Sequence, residues 1–416
     1  RTPWTNMGDV GSLCCKEAEP QVVSRPDFQG YAILQQTYED PCSKQEHVCE
    51  HLCRDTSCSA ILCDLTDAGA KVVASYSNGM VTVMELGEDV IGAMTFECGE
   101  VDAIKVMAMT PNVRLCRSNE IYGMKHLLVG TEAGIVTDWV MERSLVEPCQ
   151  WQAHSRSPLA SVQGSYAGIS ALGVACDEFL TGGADGSLCL WNLSGLRQGH
   201  RHVVRKIPAA HRGAVTAVES AGPLEVFSAG EDGHVRYWSA VSKAETKAGD
   251  AVRAIPLQVR DERGRIPPPP IISMQTDRRL NRVLVGAQDG YVRLWDTDVW
   301  RPTKRSPHHV SRENSPISEQ SSLQAVSFNM AEASHHEFVS AAADGTWCLW
   351  DIRMAAPVKD HAKEGSPALI SVALHGARLL TCAQSSMLSL WDLRADKVLR
   401  KVMASRFLEQ KACYSV

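Results

Sequence analysis

Four stretches of this chain superimpose without a gap: LTGGADGSLCLWNL (180–193), FSAGEDGHVRYWSA (227–240), LVGAQDGYVRLWDT (284–297) and VSAAADGTWCLWDI (339–352). In each, an Asp-Gly pair precedes a Trp that lies six residues after the Asp: Asp185 and Trp191, Asp232 and Trp238, Asp289 and Trp295, Asp344 and Trp350. A fifth copy, LTCAQSSMLSLWDL, keeps Trp391 but has Ser385-Ser386 in place of Asp-Gly. Two weaker copies lie upstream, one ending at Trp139 and one placing Asn78-Gly79 before Met84, which makes seven units. Such a period restricts the fold more than any figure of composition. Each unit must be one supersecondary motif that buries its apolar face against its neighbours.

Each unit reads as strand, tight turn, strand. Asp-Gly and Asn-Gly accept the positive φ angles of a two-residue hairpin, and the flanks are rich in Val, Leu, Tyr and Trp with partial alternation. Another short apolar run precedes most units, for example AVTAVES, PIISMQ and ALISVAL. With a more variable run after the Trp, this gives about four strands per ~40–45 residues, the spacing of propeller blades. The expected fold is all-β, a seven-bladed propeller of four-stranded antiparallel blades. Closing it into a ring leaves no blade with a long open edge.

From about residue 31 onward the chain resembles the WD-repeat β-propeller family. The resemblance implies a hydrogen-bonded tetrad in one blade: His211 before the first strand, Ser228 in the second, Asp232 in the turn and Trp238 in the third. The turn carboxylate would hold the imidazole, whose other nitrogen would engage Ser228 and through it the indole. The tetrad is incomplete elsewhere. Thr181 and Asp185 have only the distant His154, Ser340 and Asp344 have no matching His, and Val285 stands where Ser or Thr belongs before Trp295. The repeated Asp is structural on this reading. The family also suggests that an N-terminal strand completes the last blade, with 30–38 as the candidate and 397–404 as its neighbour or competitor.

Residues 1–30 read as a polar N-terminal extension, 31–404 as the propeller and 405–416 as a tail. Within the propeller, 261–270 contains four consecutive prolines and reads as extended chain. The segment 301–322 is basic and rich in Ser and Pro, and reads as a mobile loop. Its Ser306-Pro307 and Ser315-Pro316 pairs are candidate sites for proline-directed phosphorylation.

A formal net charge of −6 gives no electrostatic reason to expect direct nucleic-acid binding. No apolar run approaches the ~18 residues that a membrane-spanning helix requires, so no membrane insertion is expected. Fifteen cysteines, an odd number placed mostly in apolar runs, suit a reducing compartment, cytoplasmic or nuclear, in a chain that is not secreted. The first residue is Arg1, so any targeting peptide is unread. A cluster of Cys42, His47, Cys49, His51 and Cys53 has zinc-ligand chemistry but no C-x-x-C pair, and reads as a Cys-rich linker. No cofactor is expected. No catalytic motif is present, neither G-x-S-x-G nor H-E-x-x-H nor a phosphate loop. Two successive units end in W-D-x-R, which sets Arg353 and Arg394 on the face opposite the Asp-Gly turns, suited to a partner's carboxylates. The resulting expectation is a non-enzymatic interaction scaffold within an intracellular multiprotein complex. The doubled W-D-x-R resembles that of substrate receptors of cullin-RING ubiquitin ligases, a first alternative. An enzyme or small-ligand binder using the central channel is the second.

Overall fold

A strand sandwiched between two layers must be apolar on both faces, and the second strand of each later unit has that character. Five of them, Glu178–Gly183, Glu225–Gly230, Arg282–Ala287, Glu337–Ala342 and Arg378–Ala383, share one burial pattern: a half-buried charged residue followed by five buried ones. Simple alternation is lost because neighbouring sheets pack against both faces. The computed structural model describes residues within 58–404. The stretches 67–68, 77–78, 87–90, 98–103, 110–124, 144–150, 154–159, 164–166, 176–177, 193–202, 223–224, 240–252, 257–266, 278–280, 308–320, 330, 332–333 and 362–365 lie outside the description.

Among the described residues every element is a β-strand, and the strands form seven antiparallel sheets. Blades 1 to 7 span 58–97, 104–163, 169–207, 215–256, 271–307, 323–361 and 369–403, and six are four-stranded meanders. In blade 2 the outer place is split: Trp151–Ala153 and Ala160–Gln163 pair with different halves of Ile135–Arg143. The first strands neighbour one another around the ring. Blade 1 packs on blade 7 through one cluster that joins Val72, Tyr76 and Met84 to Leu380, Leu388 and Leu390. The fourth strand of blade 7 is Lys397–Met403, so side-chain packing between blades 7 and 1 joins the ring's two ends. The candidate closing strand 30–38, the N-terminal extension, the Cys/His cluster, His154 and the tail lie outside the described residues.

The hairpins differ from the two-residue turns that the sequence suggests. Positive φ falls on the Gly alone, at Gly186, Gly233, Gly290 and Gly345, and not on the preceding Asp. The Gly N–H donates to the carbonyl three residues back, as in Gly186 to Gly183 at 3.0 Å. This is a tight turn followed by a left-handed residue, one residue longer than expected. It explains the Asp as well. The carboxylate accepts the N–H two residues on, at Ser187, His234, Tyr291 and Thr346, over 2.9–3.2 Å. In blade 7 the left-handed place is held by Ser386, at φ 64. A side chain there is strained, so Ser386→Gly is expected to raise stability by about 0.5–1 kcal/mol. A denaturation midpoint that stays put or falls would show that no strain is stored in this turn.

The segment 301–322 is corrected in part. Arg301–Pro307 is the fourth strand of blade 5, paired along Tyr291–Asp296, and not loop. Its basic residues have a place in the packing. The fourth-strand residue opposite the one before the Trp is Arg205, Arg253, Lys304, Lys359 or Arg400 in blades 3 to 7. Three of these reach the next blade. Arg205 donates to the Ser239 carbonyl at 3.0 Å, Lys304 to those of Asp351 and Met354 at 2.9 and 2.6 Å, and Lys359 to that of Leu393 at 2.6 Å. Each cation satisfies carbonyls at the end of a third strand while its aliphatic stem covers apolar surface. Desolvation lowers the Lys304 pKa.

Candidate functional site

In blade 4 four side chains form one chain of hydrogen bonds. The Trp238 indole N–H donates to Ser228 Oγ at 2.8 Å. Ser228 Oγ lies 2.7 Å from His211 Nε2, and His211 Nδ1 lies 2.9 Å from Asp232 Oδ1. One proton arrangement gives every donor an acceptor: the indole donates to Ser228, the hydroxyl to Nε2, and Nδ1–H to the carboxylate. Burial lowers the His211 pKa, and the Arg236 guanidinium beside it acts in the same direction, which keeps the ring neutral. Burial pulls Asp232 upward, but the bonds from His211, the Arg212 N–H and Arg236 outweigh it and hold the carboxyl well below the usual range. This network consumes the polar groups that it buries.

The other blades keep parts of it. A hydroxyl ten residues before the Trp accepts the indole N–H at Thr181–Trp191 (3.0 Å), Ser340–Trp350 (2.8 Å) and Thr381–Trp391 (3.0 Å). Blade 5, with Val285 at that place, pairs Asp289 with the buried Arg293 instead. Asp185 and Asp344 accept the hydroxyls of Ser187 and Thr346 at 2.5 and 2.6 Å. Trp139 donates to Thr137 on its own strand at 3.0 Å.

The turns after the third strands define the opposite face, and there the two W-D-x-R motifs behave differently. The Arg353 guanidinium is paired with Asp351 in its own blade, Nη2 to Oδ2 at 2.6 Å and Nε to Oδ1 at 3.0 Å, yet its side chain is 69% exposed. That contact holds the Asp351 carboxyl at about 2. Asp392 instead accepts the backbone N–H groups of Ala395 and Arg394 at 3.0 and 2.8 Å, which pulls its own pKa down and leaves Arg394 exposed. Met354 and Val358 are exposed beside Arg353 in sequence.

Ser306 does not lie on a loop. It pairs with Val292 in the fourth strand of blade 5 and is 6% exposed, so a kinase would have to open the sheet to reach it. Ser315 lies outside the described residues. Four described thiols, Cys58, Cys189, Cys348 and Cys382, are buried. Burial raises Cys189 and pushes Cys348 up to about 12, the state of inert thiols packed as small apolar groups. Among the described residues no group of three His, Cys, Asp or Glu could hold a metal, and no helix is long and apolar enough to cross a membrane. The basic residues of the fourth strands were not singled out from the sequence. Their signal was a Lys or Arg nine residues after Trp295, Trp350 and Trp391, hidden in blades 3 and 4 because longer connections move Arg205 and Arg253 to 14 and 15 residues after the Trp.

A model of the WD domain, G-beta repeat, matches residues 202–239, the stretch that carries the His211 network. The chain is 27% identical over 258 residues to the ribosome biogenesis protein YTM1 of Eremothecium gossypii, covering 55% of this chain and 54% of that protein. It is 29% identical over 147 residues to the protein transport protein SEC31 of Kluyveromyces lactis, covering 32% and 12%. The chain thus spans about half of the first relative and a small part of the second. The crystal structure of the computationally designed Ika8 protein superimposes with a TM-score of 0.54 at 18% identity, covering 83% of this chain and 87% of that one, a likeness of fold alone. Seven sheets closed on one another make the chain a seven-bladed β-propeller, with the WD repeat matched in one blade and the same indole-to-hydroxyl bond present in three others.

Proposed function

We propose that this protein is a non-enzymatic interaction scaffold, a WD-repeat subunit of a larger intracellular assembly in the cytoplasm or nucleus, and that it meets partners through the face of Arg353 and Arg394. The single observation behind the reading is the exposed edge of the third-strand turns, where Arg353, Met354, Val358 and Arg394 are presented on a closed ring of packed sheets. Arginine forks flanked by exposed apolar groups are the residue types that act as anchors in protein interfaces. Relatives named for ribosome biogenesis and for protein transport support a role inside a larger assembly.

The ligase-receptor alternative asks for two free guanidinium groups. Arg353 is already engaged by Asp351, so that reading has one open arginine to rest on and is the weaker. Affinity purification followed by mass spectrometry, with the natural chain and with Arg353→Glu/Arg394→Glu, tests the proposal. The natural chain should recover a defined set of partner proteins, and the double variant should lose most of them with its melting temperature unchanged. An identical set from both chains removes these arginines from the interface. Recovery of a small molecule with no partner proteins replaces the scaffold by the central-channel alternative.

A further inference from the structure

The turn after the third strand of blade 5 is built on the same skeleton as that of blade 7. Asp296 accepts the N–H groups of Asp298 and Val299 at 2.9 and 3.2 Å, as Asp392 accepts those of Arg394 and Ala395. Two substitutions change its character. Asp298 stands where Arg394 stands, which inverts the charge, and Trp300 stands where Asp396 stands. Both of the latter positions are left-handed, at φ 55 for Trp300 and 52 for Asp396. Aspartate tolerates that conformation, whereas a bulky aromatic is an outlier there. The strain brings the indole over the neighbouring blade, 6.0 Å from the Phe227 ring and 5.4 Å from the Tyr237 ring, which are themselves 5.2 Å apart. Tilts of 45–60° make the three rings a shallow cup rather than a flat stack.

This cup forms one side of a 370 Å³ cleft between blades 4 and 5, whose other lining residues include Glu225, Asp277, Asp298 and Arg282. Three carboxylates and one guanidinium therefore line it. Arg282 Nη1 is buried and has no hydrogen-bond partner. Cations bind over aromatic faces within ~6 Å of the ring centroids, more strongly where water is excluded. A buried N–H without an acceptor marks a place that a ligand oxygen would satisfy. Trp300 is half-buried against the core beneath it and lines the cleft together with the three carboxylates.

We propose that this cleft docks a lysine side chain from a peptide segment of a partner protein. The ammonium sits against the rings of Tyr237 and Trp300, which Phe227 backs from the core, among the carboxylates of Glu225, Asp277 and Asp298 that line the same cleft, and Arg282 donates to a carbonyl of the peptide main chain. The site is separate from Arg353 and Arg394 and stands on its own observations.

The test is fluorescence anisotropy at low salt. The probes are two fluorescein-labelled, amidated Gly/Ser nonapeptides with one central residue, either lysine or its neutral isostere norleucine. The lysine peptide should bind at least about tenfold more tightly than the norleucine peptide. Trp300→Leu should cut that affinity at least about tenfold, and so should Asp277→Asn/Asp298→Asn, which keeps side-chain volume should the first variant fold poorly. Rising salt should weaken the lysine peptide and not the other. Equal binding of the two peptides, no measurable binding of the lysine peptide, or full affinity in the double Asn variant would each overturn the proposal.

Discussion

Trp350→Ala should lower stability by about 3–5 kcal/mol, the loss expected for deleting a fully buried large aromatic side chain. Trp350 is 0% exposed and stacks on Phe338 at 6.0 Å with the ring planes within 11°. Its N–H donates to Ser340 at 2.8 Å, and the Lys304 ammonium lies 5.1 Å from its ring centroid. The truncation therefore opens a cavity, takes the indole donor from the buried Ser340 hydroxyl and removes one partner of the cation that bridges blades 5 and 6. Trp350→Phe keeps much of the ring and loses chiefly the N–H bond, about 1–2 kcal/mol. Thermal melts of both variants separate the two effects. A fall of under about 2 °C for the Ala variant would mean that the sheet does not depend on its indole anchor.

Asp232→Ala should cost about 3–5 kcal/mol, because removing one partner of a buried charged network leaves the other uncompensated. The carboxylate is held between His211 at 2.9 Å and Arg236 at 2.7 Å and is almost wholly buried. Without it the Arg236 guanidinium and the His211 Nδ1–H have no acceptor in the turn. The same network sets an acid limit on the fold. His211 has a folded pKa below its unfolded value of about 6.5, so between those two values the unfolded chain binds a proton that the folded chain does not. Stability then falls as pH drops below about 6.5, by at most about 1.4 kcal/mol per pH unit from this one group. Asp232, also lowered on folding, adds a second loss as pH falls below about 4. Melting curves from pH 7.5 to 5.0 should show a shallower slope for His211→Gln than for the natural chain. Matching slopes would mean that His211 does not titrate with unfolding.

Sequence legibility followed the locality of each signal. The Asp-Gly-to-Trp offset is local, because a turn and the strand after it lie within eight residues, and its four full copies with three degraded ones located seven blades. The family resemblance, not the offset, pointed to His211, Ser228, Asp232 and Trp238 as one set, and the structure has them within hydrogen-bonding distance. The turn type was misread by one residue, since Asp-Gly serves both a two-residue hairpin and a tight turn closed by a left-handed Gly. The fourth strand Arg301–Pro307 was misread as loop. Two prolines, three basic residues and no apolar alternation give no strand signal, and the edge position tolerates proline where an inner strand would not.

By itself, then, the sequence determined the number of sheets, their meander order and the indole that anchors most of them, because each depends on contacts between residues close along the chain. Only the tertiary structure decided how the blades meet. Cations on one fourth strand reach carbonyls of the next blade across 34 or 47 residues of chain. Trp300 likewise meets Phe227 and Tyr237 only because blades 4 and 5 lie side by side. Such pairings come from the curvature of a closed ring, and no periodicity in the residues encodes which side chains that curvature will bring together.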